Sequence, residues 1–465
     1  MNNILKFFLI IFLFTGCSLH ENSKFWSKEK ILKENKENKE NKIEIFKKKE
    51  ALKSEFNSSL KLEIFSKAIN NSSLQTLDNN NGRLNYNGKL ENISKYKFKK
   101  IENFNQYEYE ITSIKNNIIF FDNKGSILNF DNKSTLIWKQ NYYSKSEKKQ
   151  KPKLFFSHNE KILIVADNIA KLYALDIETG ELIWSKKTNA PYNSQIKIHK
   201  NNFYIVDFAN TLRAYSLKDG KEIWNNKTQK SLIRSQKKLS LVIKDEMIYF
   251  NNSLGDISAV DINSGDLVWQ TPTQSSLAYD VGFFLKTSVI VMDKETLFFS
   301  NNQNQFFSID TQTGNINWIQ EINSSLRPTI INNFIFTISQ EGYLVILEKK
   351  TGNIIRINDI FTNFKKQSFF SSDGPKTCVK SIFSMKRVPC DKKKQTEKNK
   401  FKPTGFIVGT EKIYISTDNG RLFVVKISNG KIHTILKIDN KKISRPSVIN
   451  KNLYVITESS IIRLD

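Results

Sequence analysis

The sequence predicts an all-β fold, a β-propeller of repeated blades carried behind a long charged N-terminal segment. Three observations carry that prediction. From about residue 100 the chain turns into short runs of alternating apolar and polar residues broken by Asn, Asp and Gly, the pattern of half-buried strands joined by tight turns. Within that region five stretches can be laid over one another: STLIW ending at Trp138, KLYALDIETGELIW at Trp184, TLRAYSLKDGKEIW at Trp224, DISAVDINSGDLVW at Trp269 and QFFSIDTQTGNINW at Trp318. Their tryptophans stand between 40 and 49 residues apart, a period that marks a repeat architecture.

The N-terminal elements read differently. Lys6 and the run FFLIIFLF precede Thr15-Gly16-Cys17, and a run this short does not span a bilayer as a helix. A basic residue, a short apolar stretch and small residues before a cysteine read as a secretory signal over residues 1–16. Residues 17–85 are rich in Lys, Glu and Asn, with the repeated triplet KEN, and such a composition buries too little surface to offset the entropy of ordering it. A flexible tether is therefore expected, with room for transient helix around Ile43 to Ala68. Its roughly 65 residues would reach roughly 40–50 Å. The propeller is expected over residues 86–465.

Each repeat makes sense as two antiparallel strands and a turn. In the second copy Asp176 can accept hydrogen bonds from turn amides, and Gly180 supplies the positive φ that closes the hairpin. Gly220, Gly265 and Gly314 stand at the same place, and weaker copies centre on Gly352 and Gly430. Small residues at Ala174, Ala214 and Ala259 allow close approach of another sheet. The recurring tryptophan, large, flat and able to donate one hydrogen bond, suits a wedge between neighbouring blades. The pattern departs in three places: Ser134 stands for the glycine of the first copy, and Arg356 and Thr434 fill the tryptophan position of the sixth and seventh. Those junctions are expected to be less well locked. A basic insertion at about 362–402 enlarges the spacing between Gly352 and Gly430 and is expected to be a largely disordered loop. It holds Cys378 and Cys390, which in an oxidising compartment can close a loop worth about 3 kcal/mol or remain free thiols. Their spacing is not a zinc signature.

These repeats resemble the PQQ-like repeat, and the residues before Cys17 resemble a lipoprotein cleavage motif, with Phe14 where leucine is commonest. Together they are similar to the BamB family, lipoproteins of the outer-membrane β-barrel assembly machinery. The resemblance implies eight blades, a segment near Lys95 to Tyr109 pairing with the C-terminal strands to close the ring, and acylation of Cys17. Ser18 stands where the family's inner-membrane retention signal would place aspartate, which implies an outer-membrane anchor facing the periplasm. It further implies a partner, the barrel-inserting subunit of the assembly complex, with the chain a monomer within that hetero-complex. The contacts carried over fall on Leu232, Ile233 and Arg234 before one blade and Asp280 before the next. Ile233 matches an apolar slot, whereas Leu232 is displaced by one and the spacing to Asp280 differs. An exposed arginine beside apolar side chains makes a typical interface anchor, although Leu232 and Ile233 would equally serve as the start of a buried strand.

The function classes left over are few. The formal net charge is +26, yet lysine is spread through the whole chain and no separate basic patch with interleaved aromatics stands out, so no nucleic-acid partner is expected. Only four histidines occur, at His20, His158, His199 and His433, and nothing resembles a nucleophile elbow, a phosphate loop or a metal cluster. No catalytic residue, cofactor or metal is expected. The repeat also resembles that of quinoprotein dehydrogenases, which would need carboxylate-held calcium, a catalytic aspartate and in many members adjacent cysteines; this chain has no adjacent cysteines. A propeller that binds glycan or lipopolysaccharide through its lysines is the other alternative.

Overall fold

The computed structural model describes residues 52, 54–71, 76–228, 237–273, 285–361, 377–379, 387–389 and 401–465. The expected signal sequence, Cys17 and the first part of the expected tether lie outside these residues.

Eight four-stranded antiparallel sheets form the eight blades. Blade 1 contains Thr112–Ile114, Asn117–Phe121, Ile127–Phe130 and Leu136–Gln140. Blades 2 to 7 begin at Leu154, Tyr192, Leu241, Val291, Thr329 and Pro403. The eighth joins both ends of the chain: Ser447–Ile449, Asn452–Ile456 and Ser460–Leu464 are completed by Asn92–Lys97, which pairs antiparallel with Ser460–Leu464. The closing strand thus stops at Lys97, short of the expected Tyr109. Burial follows position in the blade. Second and third strands such as Ile162–Asp167 and Lys171–Asp176 are buried almost throughout, whereas a fourth strand such as Leu182–Lys187 alternates towards solvent. Middle strands are covered on both faces by neighbouring blades, hence their near-continuous apolar sequence.

The blades are fastened by a repeated contact. The indole N–H groups of Trp184, Trp224, Trp269 and Trp318 donate to the backbone carbonyls of Leu217, Ile262, Thr311 and Lys349 in the next blade, at 3.0–3.2 Å. The glycine of that next blade's turn lies on the ring face. A Cβ on Gly220, Gly265, Gly314 or Gly352 would come within 2.6–2.7 Å of indole carbon, and each has φ between +65° and +80°. Close approach and positive φ together demand glycine here. Across the sheet each tryptophan faces a small residue: Ala174 opposite Trp184, Ala214 opposite Trp224 and Ala259 opposite Trp269. Trp138 is seated on Gly180 in the same way, but its buried indole N–H has no hydrogen-bond partner; Tyr142 instead donates to the Gly180 carbonyl at 2.5 Å.

The departures from the repeat resolve physically. Ser134 takes φ +65°, accepting the left-handed conformation a glycine would adopt without cost. The junction at Arg356 is not looser, contrary to expectation. Arg356 is fully buried, and its Nη2 donates to the Ile427 carbonyl at 2.7 Å, the position in blade 7 that matches the carbonyls bonded by tryptophan elsewhere. Its Nη1 adds bonds to Ser428 and Leu60 at 3.0 and 2.9 Å. Burial lowers its pKa to about 10, so it stays cationic at neutral pH. Thr434 faces blade 8, which has no such turn; there Tyr86 donates to the Asp465 carbonyl at 2.6 Å, and Gly88 runs so close to Asp465 that a Cβ would overlap it.

One further expectation is corrected. Residues 54–71 and 76–85 are not a free tether but a strap packed on the propeller. Phe56 bridges Ile357, Leu62 donates to Ser428, and Leu84 donates to Val408. Within the basic insertion, Thr377–Val379 and Arg387–Pro389 form a two-stranded antiparallel ladder with Cys378 opposite Val388. Most of that insertion, Cys390 included, lies outside the described residues. Arg356→Ala should cost more than about 3 kcal/mol in denaturant unfolding, through lost volume and lost bonds to three carbonyls, of which, among the described residues, only that of Ser428 keeps another donor, the Leu62 N–H. Arg356→Trp should recover most of that loss yet leave Leu60 unbonded, so protease cleavage within 54–62 should accelerate in both variants.

Candidate partner-binding face and central channel

Strand direction assigns the loops to two faces. Connections from the fourth strand of one blade to the first of the next share one face with the turns between second and third strands, and the glycine turns lie on the other. The residues flanking 229–236 and 274–284 belong to the first face, at the junctions of blades 3–4 and 4–5. Thr228 and Thr273 anchor the loop starts through bonds to the Asn210 and Gly255 carbonyls, both 2.9 Å. Leu232, Ile233, Arg234 and Asp280 lie between these anchors and outside the described residues. The first strand of blade 4 begins at Leu241.

The same face carries the mouth of the central channel. The stretch from Phe104 to Glu110 crosses it between the closing strand and blade 1, with Phe104 and Tyr109 stacked at 5.0 Å. Lysines from three blades clasp it. Lys237 and Lys238 of blade 4 pair with Glu108 and Glu110, both at 2.8 Å. Lys442 donates to the Tyr107 carbonyl at 2.8 Å, and Lys153 stands 3.9 Å from the Tyr107 ring centroid. A cleft of about 450 Å³ opens beside this stretch, lined by Lys237, Lys238, Lys286, Lys402 and Lys442. For Glu108, burial alone would raise the carboxyl pKa, but attraction and hydrogen bonding from Lys237 outweigh it and hold it below the usual range.

The opposite mouth is closed by the strap. Asn79, fully buried with φ +60°, donates from one amide to Gln195 Oε1 and to the Leu241 and Ile290 carbonyls at 2.8–3.1 Å, tying blades 3, 4 and 5. Its Oδ1 accepts from the buried Lys197 ammonium at 2.6 Å. Asn80 donates to the Ile330 carbonyl, and Asn81 accepts from Arg327. These cations were not legible as a patch in the sequence, because Lys153, Lys197, Arg327 and Arg445 come from different blades and meet only when the ring closes. Burial pushes the pKa of Lys197 well below the usual lysine value. A calcium-held quinone does not fit this channel: Glu108 and Glu110 are already paired with lysines, and a divalent cation needs free carboxylate oxygens. Among the described residues no group of His, Cys, Asp or Glu is arranged to hold a metal.

Two predictions follow from these contacts. Asn79→Ala, which orphans polar groups of three blades and of Lys197, should destabilise by about 2–4 kcal/mol, whereas Asn85→Ala, which removes one exposed bond to Asn70, should cost less than about 0.5 kcal/mol. For Lys153, burial first and repulsion from Lys238 second lower the pKa from 10.5 to about 7. Between those values the unfolded chain keeps a proton that the folded chain has released, so this residue's contribution makes stability rise with pH across that window. Lys153→Met should abolish that rise in unfolding free energy, and its stabilising effect relative to Lys153 should be largest below pH 7.

A family model described as outer membrane protein assembly factor BamB matches residues 123–358. No curated protein matches the sequence. Among solved structures, BamB from Moraxella catarrhalis aligns with a TM-score of 0.60 at 14% identity, over 81% of this chain and 99% of that one. The computationally designed Ika8 protein aligns with a TM-score of 0.55 at 10% identity, over 79% and 99%. Quinohemoprotein alcohol dehydrogenase from Comamonas testosteroni aligns at 0.56 and 10%, over 82% and 78%. At such identities these structures share the fold with this chain. The family match spans just over half of the chain and contains all four of the indole-to-carbonyl junctions, and the chain belongs to the family of the outer membrane protein assembly factor BamB.

Proposed function

We propose that the protein is a non-catalytic scaffold, lipid-anchored through Cys17 on the periplasmic side of the outer membrane, that binds the β-barrel assembly machinery and assists insertion of outer-membrane proteins. The observation that carries this reading is the family match together with a rigid disc whose two loops, 229–236 and 274–284, are rooted on one face at adjacent blade junctions. Leu232, Ile233 and Arg234 on one loop and Asp280 on the other are the proposed contacts with the barrel-inserting subunit. Lys238, directly beyond the first loop, is fixed by Glu110, which gives that loop a firm root. The acyl chains on Cys17 would hold the body at the membrane through the segment that precedes the strap, because two chains anchor where one is marginal.

Arg234→Glu should abolish copurification with the barrel-inserting subunit while leaving thermal melting unchanged; retained copurification would count against the site. Cys17→Ser should shift the protein from the membrane to the soluble fraction without altering its circular dichroism. A variant that still sediments with membranes would contradict the anchor.

A further inference from the structure

The channel holds two arginines whose hydrogen-bonding capacity is only partly used. Arg327 precedes the first strand of blade 6 and Arg445 that of blade 8, each in an Arg-Pro pair five residues before the left-handed Asn332 or Asn450 of the following turn. They therefore occupy the same level of the ring. Blade 7 lies between them and has Gly405 there. A Cβ on Gly405 would come within 2.4 Å of Arg445, so Arg445 lies across the glycine, held by its Nε bond to the Phe406 carbonyl at 3.0 Å. Arg327 is only 5% exposed. Its Nη2 is used by Asn81, but its Nε and Nη1 have no partner, and neither has Nη2 of Arg445. Both side chains line one small cavity of about 30 Å³ with Ser325, Thr404 and Ser444.

Unpartnered buried donors on two like-charged groups are costly. Glu110 also lines the cavity, but its carboxylate is engaged by Lys238, and Glu108 by Lys237. The site thus keeps two cations and three unused N–H-bearing nitrogens, in a space fit for one or two small particles. We propose that this cavity is a buried binding site for a small monovalent anion of halide size, which neutralises Arg327 and Arg445 and ties blades 6, 7 and 8 together. The proposal uses none of the proposed partner contacts, so it stands or falls independently of them.

The test uses the full-length protein. At fixed ionic strength, replacing gluconate by chloride should raise the melting temperature in a saturating manner, as a ligand that binds only the folded state must. Arg327→Met and Arg445→Met should each abolish that chloride dependence, whereas a surface variant such as Lys412→Met should keep it. Crystals grown in bromide should show an anomalous peak between the two guanidinium groups. Equal melting in both salts, dependence that survives in both arginine variants, or bromide crystals with only water at the site would overturn the proposal.

Discussion

The structure depends on one contact made at five successive blade boundaries, from blade 2 to blade 7: a donor on the last strand of one blade reaches a fixed carbonyl of the next, over a glycine turn that lets the two sheets meet. A propeller has no single core, so each blade boundary must carry its own share of apolar burial and leave few sheet edges open. The indole supplies area, flatness and one N–H together. Arg356 shows that the requirement is for the donor and the filled space, not for tryptophan as such. At the last boundary the constraint is met by different means, with Tyr86, Gly88 and Asp465 closing the seam where the eighth blade has no glycine turn.

Closing the ring creates the channel, and the channel creates the protein's unusual electrostatics. Lysines and arginines that are ordinary in sequence point inward from blades 2, 3, 4, 6 and 8. Two carboxylates on the crossing stretch and two asparagines on the strap, Asn79 and Asn81, answer several of them. These segments span several blades at once, so they act as cross-braces at the two mouths. Hydrogen bonds of this kind add little net energy each, but leaving one unmade in a buried site is expensive, which makes the braces a condition for a defined channel.

The periodic part of the fold was legible because its cause is local. Hairpin, glycine and tryptophan recur at fixed offsets, and the chain's alternation places their faces without knowledge of the rest. What the sequence did not reveal is non-local. The strap, residues 54–71 and 76–85, is rich in asparagine and serine and looks too polar to fold, yet its D-N-N-N-G run at 78–82 finds acceptors on blades 3 to 6 that exist only once the ring is built. Arg356 reads as a lost tryptophan because its three carbonyl partners come from residues 60, 427 and 428. For the partner site, the roots at Thr228, Lys237 and Thr273 are defined, and the side chains expected to make contact lie outside the described residues.

The central claim, that indole and turn glycine form one unit of fastening between blades, is tested most directly by a double-mutant cycle at the junction of blades 3 and 4. Trp224→Ala and Gly265→Ala would be measured singly and together by denaturant unfolding. The account predicts that each destabilises and that the pair is coupled by more than about 1 kcal/mol, since removing the ring frees the space a Cβ on Gly265 would otherwise meet at 2.6 Å. Strictly additive losses would show that the two residues act separately and would contradict the account.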